Sequence, residues 1–415
     1  MLTTLKNRNF ALLWTGGLIS MIGNWILLAA LPFHVYAVTG SAIATSSILI
    51  AYIAPGIVFG SLAGVFVDRW DRKWTMVVVS LLQTAVMLIM LIARSEEYLW
   101  VIYIVAFIES SLAQFFSPAE NALLPTLVGE EHLASANALN SLNDNFARLI
   151  GPAVGGGLLA AGGFTTVIVL DALSYLITAV LVALVIVDGK PKRTEAPSGE
   201  EQTAVSPLLK VWQEWVAGLR LVRSKPLLTN IFLVVGLALF GDAILSAVLV
   251  IFVQDTMGLT ALEFGWMMTA RGIGGLIGGI LIGQLGNKVP LHQVITWGLV
   301  ISGATIIGAV NFPVLTVVLP LLVLVGVAAI AAFVSVQTIL QQATPDEYRG
   351  RIFGSFGMTI NLLMVVGSAL GGLFADRVGD VPLMNGASVM YIIAGGLALL
   401  LLGRSMREET AVAEA

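Results

Sequence analysis

Ionisable side chains inside long apolar stretches are the residues of this sequence that could do chemistry. They are His34, Glu109, Asp144, Arg148, Asp171, Asp242 and Arg271. An unpaired charge in hydrocarbon costs at least about 2.5–3.5 kcal/mol, so such residues are rarely kept without a role. A carboxyl group in weakly polar surroundings can hold a proton at neutral pH and release it when its surroundings change. Glu109, Asp242, Asp171 and His34 are therefore candidates for binding and releasing protons.

Each of these candidates also has a structural interpretation. Glu109 could be a hydrogen-bonded acid beside Ser110 and Gln114, and Arg271 could hold Asp242 permanently ionised. Asp171 could be a packing or outer-vestibule residue, and His34 could be passive.

Asp144 and Arg148 are four residues apart with the acid first, which favours an ion pair on one helix face.

Other kinds of chemistry find little support. The chain has no cysteine, which excludes disulfides and thiol catalysis, and its three histidines show no metal-ligand spacing. It has no P-loop, and no paired acids or histidine clusters typical of an enzyme. We expect no metal, no cofactor, no nucleic-acid partner and no enzymatic activity.

The elements that position these residues are membrane helices. Hydrophobic residues make up 58% of the chain and charged residues 11%, with a mean hydropathy of +0.94, against about 45–50% and about 25% in soluble domains. Twelve apolar runs each reach the length of roughly 20 residues that spans a bilayer. They cover approximately 11–38, 43–67, 74–93, 99–118, 140–163, 166–187, 227–254, 262–285, 293–311, 314–341, 351–375 and 383–403. The first run lacks a small-residue cleavage site, so we expect it to be a retained helix.

The distribution of basic residues predicts the orientation. Most of the 21 Lys and Arg residues fall in segments that share one side of the membrane with both termini. Because positive loops stay in the cytoplasm, we expect a multi-pass protein of the cytoplasmic membrane with both termini inside.

The two halves of the chain repeat. Gly60-Ser61-Leu62-Ala63-Gly64 matches Gly275-Leu276-Ile277-Gly278-Gly279, and Gly151-Pro152-Ala153-Val154-Gly155-Gly156 matches Gly367-Ser368-Ala369-Leu370-Gly371-Gly372 at almost the same offset. Six helices repeated in one orientation predict an all-α membrane protein of two six-helix bundles related by a pseudo-two-fold axis. The domains are then 1–187, a cytoplasmic linker with an interfacial helix over 188–226, 227–403, and a tail over 404–415. Bundles of this kind rock about a central site in transporters.

Small residues also mark helix contacts. Gly60 and Gly64 in the second run, and Gly275, Gly279 and Gly283 in the eighth, place glycine on one helix face, where backbones can approach closely. Such a face could be a static contact or one that changes between states.

The loop between the second and third runs has the pattern Gly64-x-x-x-Asp68-Arg69-x-Asp71-Arg72-Lys73. It resembles the corresponding loop of major facilitator superfamily transporters. The resemblance implies a conformational latch made by Gly64, Asp68, Arg69, Asp71, Arg72 and Arg351, with Asp68 at the start of the eleventh helix. The alternative is a positively charged anchor only.

The fifth run contains Arg148, Gly151, Pro152, Gly155 and Gly156, which resembles the Gly-Pro motif of proton-coupled exporters in that superfamily. Proline kinks a helix and flanking glycines let it pack closely, although an ordinary membrane kink has the same residues. The preceding segments 117–125 and 135–140 are similar to the drug- and siderophore-exporting branch that includes macrolide efflux proteins.

These resemblances imply a secondary active transporter, a monomer in the bilayer, that exports amphipathic small molecules in exchange for protons. Trp25, Phe115, Arg271 and Met267 are candidates for the substrate cavity, because aromatic and methionine side chains adapt to varied ligands. The alternatives are an importer or facilitator of a polar metabolite, and a lipid scramblase without transport activity.

Overall fold

The computed structural model describes residues 4–93, 96–187, 189–190, 207–286 and 288–405. Apart from short 3-10 and π turns, these residues form α-helices joined by brief connections. The helices are α1 (Arg8–Thr39), α2 (Ala42–Val67), α3 (Arg72–Ile89), α4 (Leu99–Val128), α5 (Glu130–Ala183), α6 (Pro207–Arg223), α7 (Pro226–Ile251), α8 (Ala261–Leu285), α9 (Leu291–Asn311), α10 (Leu315–Ala343), α11 (Asp346–Val378) and α12 (Asp380–Leu397).

Helix α5 is long enough to cross a membrane twice. Its 54 residues would extend about 80 Å as a straight helix, far more than a hydrocarbon core of about 30 Å. Gly163 interrupts it with φ 71° and ψ 179°, a conformation that residues with a side chain rarely adopt. Eleven helices of the described chain are long and apolar enough to span, and the kink in α5 brings the crossings to the predicted twelve.

The helices extend beyond two of the predicted apolar runs. Helix α4 continues to Val128 and α5 begins at Glu130, so residues 119–139, which were expected to lie outside the spans, are almost entirely helical. Only Gly129, with φ 71°, separates them. Hydropathy marks the part of a helix that lies in hydrocarbon, whereas the hydrogen-bonded backbone continues into the polar region.

The chain forms two compact units. One contains Met1–Thr39 and Ala51–Lys210, and the other contains Gly40–Ile50 and Val211–Ala415. In the first unit, α1, α3 and α4 pack on α5 around buried side chains that include Leu13, Met76, Leu123 and Val182.

Glycines bring α1 and α5 into backbone contact in the first unit. A Cβ atom added at Gly155 would lie 2.6 Å from the carbonyl oxygen of Ile26, and one added at Gly151 would overlap Trp25. The glycines of the Gly-Pro motif therefore hold the fifth membrane helix against the first, as small residues do where no hydrophobic force drives helices together.

The repeated glycines do the same in the second unit. A Cβ at Gly367 of α11 would lie 2.9 Å from the carbonyl oxygen of Phe240, and one at Gly371 would lie 3.0 Å from the Cβ of Ala247, both on α7. Each unit thus packs its fifth membrane helix on its first through the same pair of repeated positions.

The tightest packing of α8 falls one residue before the predicted glycines. A Cβ at Gly278 would overlap Val327 of α10, and one at Gly274 would overlap Val323. Of the predicted face, Gly275 also packs closely, since its added Cβ would lie 3.1 Å from Cγ1 of Ile330 on α10. Gly279 has its nearest neighbour at 3.9 Å and Gly283 has none within 4 Å. The contact with α10 therefore includes one position of the expected face and is tightest at the preceding residues.

The predicted interfacial segment forms helix α6, and one of its faces contacts α11. Trp215 donates a hydrogen bond from Nε1 to Oγ1 of Thr359 at 3.1 Å, and Ser355 donates to the Trp215 carbonyl at 3.3 Å. Linker residues 191–206 lie outside the described residues, as do 406–415 of the predicted tail.

Replacing Gly155 with alanine is expected to destabilise the protein by about 1–3 kcal/mol, because the new methyl group meets backbone atoms that cannot move away cheaply. Thermal unfolding in detergent measures the effect. Gly283→Ala is the matched control, since that position has free space. Equal melting temperatures for the two variants would contradict the close contact of α1 and α5.

Candidate functional site

Glu109 lies at the centre of a hydrogen-bonded cluster in the first unit. Its side chain on α4 is only 4% exposed. Tyr175 of α5 donates from its hydroxyl to Glu109 Oε1 at 2.6 Å, and Gln83 of α3 donates from Nε2 to the same oxygen at 3.2 Å. Tyr175 also contacts the side chain of Asn24 on α1. Four membrane helices thus meet at one carboxyl group.

Asp171 lies one helical turn before Tyr175 and is completely buried. Its Oδ1 accepts a hydrogen bond from Ser174 at 3.3 Å, whereas Oδ2 is buried without a partner. A Cβ at Gly23 would overlap Asp171, so α1 passes directly over the carboxyl group. The described residues place no lysine, arginine or histidine within 4 Å of Glu109 or Asp171.

A polar cavity of about 370 Å³ adjoins this cluster within the first unit. Asn24, Gln83 and Tyr175, which surround Glu109, also line the cavity. Its wall further includes Ser80, Glu120 and Asn143. The buried acid is therefore next to a space that water or a ligand can fill.

The second unit holds a different arrangement around Asp242 of α7. Arg271 of α8 forms an ion pair with it, with 2.8 Å between Nη2 and Oδ1, and Tyr391 of α12 donates to the same oxygen at 2.8 Å. This acid has the positive partner that Glu109 lacks, as the sequence had suggested for Arg271.

Of the four residues expected in a substrate cavity, Met267 and Arg271 line one cavity together, whereas Trp25 and Phe115 make aromatic contacts in the first unit. Met267 and Arg271 line a small cavity of about 60 Å³ beside Asp242. Trp25 lies under the guanidinium of Arg148, 5.2 Å from ring centre to Cζ, and Phe115 stacks on Trp70 at 6.1 Å.

Arg148 therefore contacts an aromatic ring on α1. Among the described residues Arg148 and Asp144 form no salt bridge within 4 Å, although the two charges are close enough to attract each other. A direct ion pair between them stays a prediction. Favourable spacing on a helix does not fix a side chain when a nearby indole face also attracts the cation.

His34 is apart from the acidic residues. Its ring stacks on Phe164 with 3.9 Å between centroids, and its Nε2 is buried without a partner.

Two of the predicted latch residues have partners inside the first unit. Asp71 caps the start of α3 by accepting a hydrogen bond from the Trp74 backbone at 3.1 Å, and Arg72 donates from Nη1 to the Ala122 carbonyl at 3.0 Å. Asp68 and Arg69 are exposed, as is Arg351 on α11. Gly64 lies within α2, and its packing is outside the described part of the structure. The latch stays a prediction.

Sequence reasoning missed the neutral partners of the acids, namely Asn24, Gln83, Tyr175 and Tyr391. A signal was present for the first two, because an amide side chain inside an apolar run is itself costly to bury without a hydrogen-bond partner. The two tyrosines gave no such signal, since tyrosine is common in membrane proteins without a hydrogen bond to a buried acid.

The comparisons with known proteins agree with this architecture. Residues 1–414 match the model of a family described as transmembrane secretion effectors. The chain belongs to this family of the major facilitator superfamily. It is therefore a multi-pass membrane transporter, and the predicted fold class of twelve membrane helices in two six-helix bundles is confirmed.

Several relatives of the transporter carry names that state an activity. It is 30% identical over 376 residues to macrolide efflux protein A of Streptococcus pyogenes. The aligned region covers 89% of this chain and 90% of the relative. It is 27% identical over 393 residues to the enterobactin exporter EntS of Escherichia coli O1:K1, covering 92% and 89%. A solved bacterial homologue of the human lysosomal transporter Spinster has the same fold, with a TM-score of 0.73, 14% identity, and 96% and 97% of the two chains covered.

Replacing Arg271 of the transporter with methionine is expected to lower stability by about 1–3 kcal/mol, because Asp242 would lose its positive partner. The second change Asp242→Asn should restore most of the loss, since the remaining amide needs no counter-ion. Thermal unfolding of both single variants and the double variant measures this coupling. Additive losses would contradict an energetically significant ion pair.

Proposed function

We propose that this transporter exports amphipathic small molecules across the cytoplasmic membrane in exchange for protons. The observation that carries the proposal is the burial of Glu109 among neutral hydrogen-bond donors, beside a polar cavity. Both termini are proposed to be cytoplasmic, as the positions of the basic residues predict, and the transporter is proposed to work as a monomer.

The environment of Glu109 favours a reversible proton site. A buried carboxylate without a positive partner is an uncompensated charge, whereas the protonated acid is neutral. Tyr175 and Gln83 both donate to Oε1, so this oxygen is held by two neutral groups. We assign the proton to the other oxygen, Oε2.

Asp242 is less suited to this role. The guanidinium of Arg271 at 2.8 Å stabilises its ionised form, and the hydroxyl of Tyr391 adds a second donor. Protonation would leave the partly buried Arg271 as a cation without its partner, which disfavours the neutral form of Asp242. We assign the pair to holding α7, α8 and α12 together, and the proton to Glu109.

The polar cavity supplies the second condition for coupling. A proton carrier must be stable in both charge states, so the ionised form needs water or polar groups when the proton leaves. Gln83 and Tyr175 line the cavity and bind Glu109 directly, and Asn24 joins them through Tyr175. A change in what fills the cavity would then alter the affinity of Glu109 for a proton, which links substrate binding to proton release.

The direction of transport rests on the family and the relatives. The family is described by secretion, and two relatives are named for macrolide efflux and enterobactin export. These names support export over the importer and scramblase alternatives.

The glutamine variant Glu109→Gln is expected to abolish compound-triggered proton flux, because glutamine keeps the shape and hydrogen bonds but cannot carry the proton. Proteoliposomes containing a pH-sensitive dye measure the flux while lipophilic cations, macrolides and siderophore-like compounds are added. Asp242→Asn should retain part of the flux, and Glu131→Gln, an exposed acid at the start of α5, is the control.

Unchanged flux in Glu109→Gln would show that protons use another residue. An absence of flux in the wild type with every compound would contradict proton antiport itself.

A further inference from the structure

The cavity of the first unit is rich in groups that accept hydrogen bonds. Its wall contains the carboxyl groups of Glu120 and Asp144 and the amide side chains of Asn140 and Asn143. None of the residues that line it, all of them in the described part of the chain, is a lysine, arginine or histidine. The cavity therefore has hydrogen-bond acceptors and two carboxyl groups in its wall, and no basic side chain lines it.

Three polar atoms of this wall have no partner. Ser80 is completely buried and Asn143 is 3% exposed, yet Ser80 Oγ and Asn143 Oδ1 make no hydrogen bond. Oδ1 of Asn140 is unpartnered as well. The amide nitrogen of Asn140 donates to Glu120 Oε1 at 3.3 Å, and that of Asn143 donates to the Trp14 carbonyl at 3.0 Å. What remains free on each asparagine is the acceptor, and a buried acceptor without a donor is costly.

These observations define the chemistry of a ligand. It must donate several hydrogen bonds and carry positive charge, which describes a protonated amine. The volume of about 370 Å³ is far larger than the share of about 30 Å³ that one water molecule needs, and it falls in the range of small-molecule sites. A single metal ion would leave most of it unfilled.

The cavity also has an apolar side. Met21, Ala113 and Phe116 line it together with the polar residues. Phe116 offers a flat surface and Met21 an adaptable one to a carbon skeleton. An amphipathic molecule would thus find acceptors for its amine and apolar contacts for the rest.

We propose that this cavity is a binding site for the amine end of a cationic amphipathic substrate, with Glu120 as the counter-charge and Asn140, Asn143 and Ser80 as acceptors or orienting groups. The proposal rests on the proposed export function and names the substrate class. Gln83 and Tyr175 form part of the same wall and bind Glu109. Only one residue therefore separates an amine in the cavity from the proposed proton site.

Equilibrium binding to the purified transporter in detergent tests the site without any ion gradient. The probes are a short series of dansylated alkyl diamines, each with one free amine, and their N-acetylated neutral counterparts, followed by fluorescence anisotropy. We expect the free amines to bind at least about tenfold more tightly than the acetylated forms, because hydrogen bonds between charged groups are stronger than those between neutral ones.

The variant Glu120→Gln should remove most of this preference and leave binding of the neutral forms unchanged. Glutamine retains an oxygen for the Asn140 amide, so the fold should persist, which the melting temperature verifies. Glu131→Gln, outside the cavity, is the matched control, and Ser80→Ala gives a second, smaller reduction in amine affinity.

Equal affinity for free and acetylated probes, an unchanged preference in Glu120→Gln, or no binding of any amine to the folded wild type would overturn the assignment of this site. None of these outcomes tests whether Glu109 carries the proton, which is measured separately in proteoliposomes. Conversely, unchanged proton flux in Glu109→Gln with amine binding intact would overturn the proton site and support the amine site.

Discussion

Hydrocarbon offers no hydrogen bonds, and this constraint governs every polar side chain in the membrane helices. Each such group is stabilised by a partner on its own helix, on a neighbouring helix or in a polar cavity, and without one it opposes insertion. Glu109 has its partners in Tyr175 and Gln83, and Asp242 in Arg271 and Tyr391. These partners lie on other helices, so the hydrogen bonds that stabilise the acids also fix how the helices pack.

The two units use the constraint differently. Their backbones repeat, because Gly151 with Gly155 and Gly367 with Gly371 hold the fifth membrane helix of each unit to its first. Their acids do not repeat, because the first unit leaves Glu109 among neutral donors and the second gives Asp242 a cation. A common scaffold therefore carries an acid among neutral donors in one unit and an ion pair in the other, and we propose that the first is the group that changes its charge.

The sequence predicted most of the scaffold and included Glu109 among four candidates for proton binding. Hydropathy located the membrane helices, the amphipathic pattern located α6, and the cost of a buried charge singled out Glu109 and Asp242. It did not predict the partners Tyr175 and Gln83, since nothing local records which residues of distant helices face one another. It also missed the tightest contacts of α8, at Gly274 and Gly278, and the cavity, whose wall is assembled from α1, α3, α4 and α5.

The central claim is that Glu109 holds a removable proton in these surroundings. Infrared difference spectroscopy of the purified transporter, titrated with pH, observes protonated carboxyl groups directly. The account predicts a carboxylic acid band at neutral pH that loses a component in Glu109→Gln, keeps it in Asp242→Asn, and shifts in frequency in Tyr175→Phe because the hydrogen bond to Oε1 is lost. Identical spectra for the wild type and Glu109→Gln would contradict it.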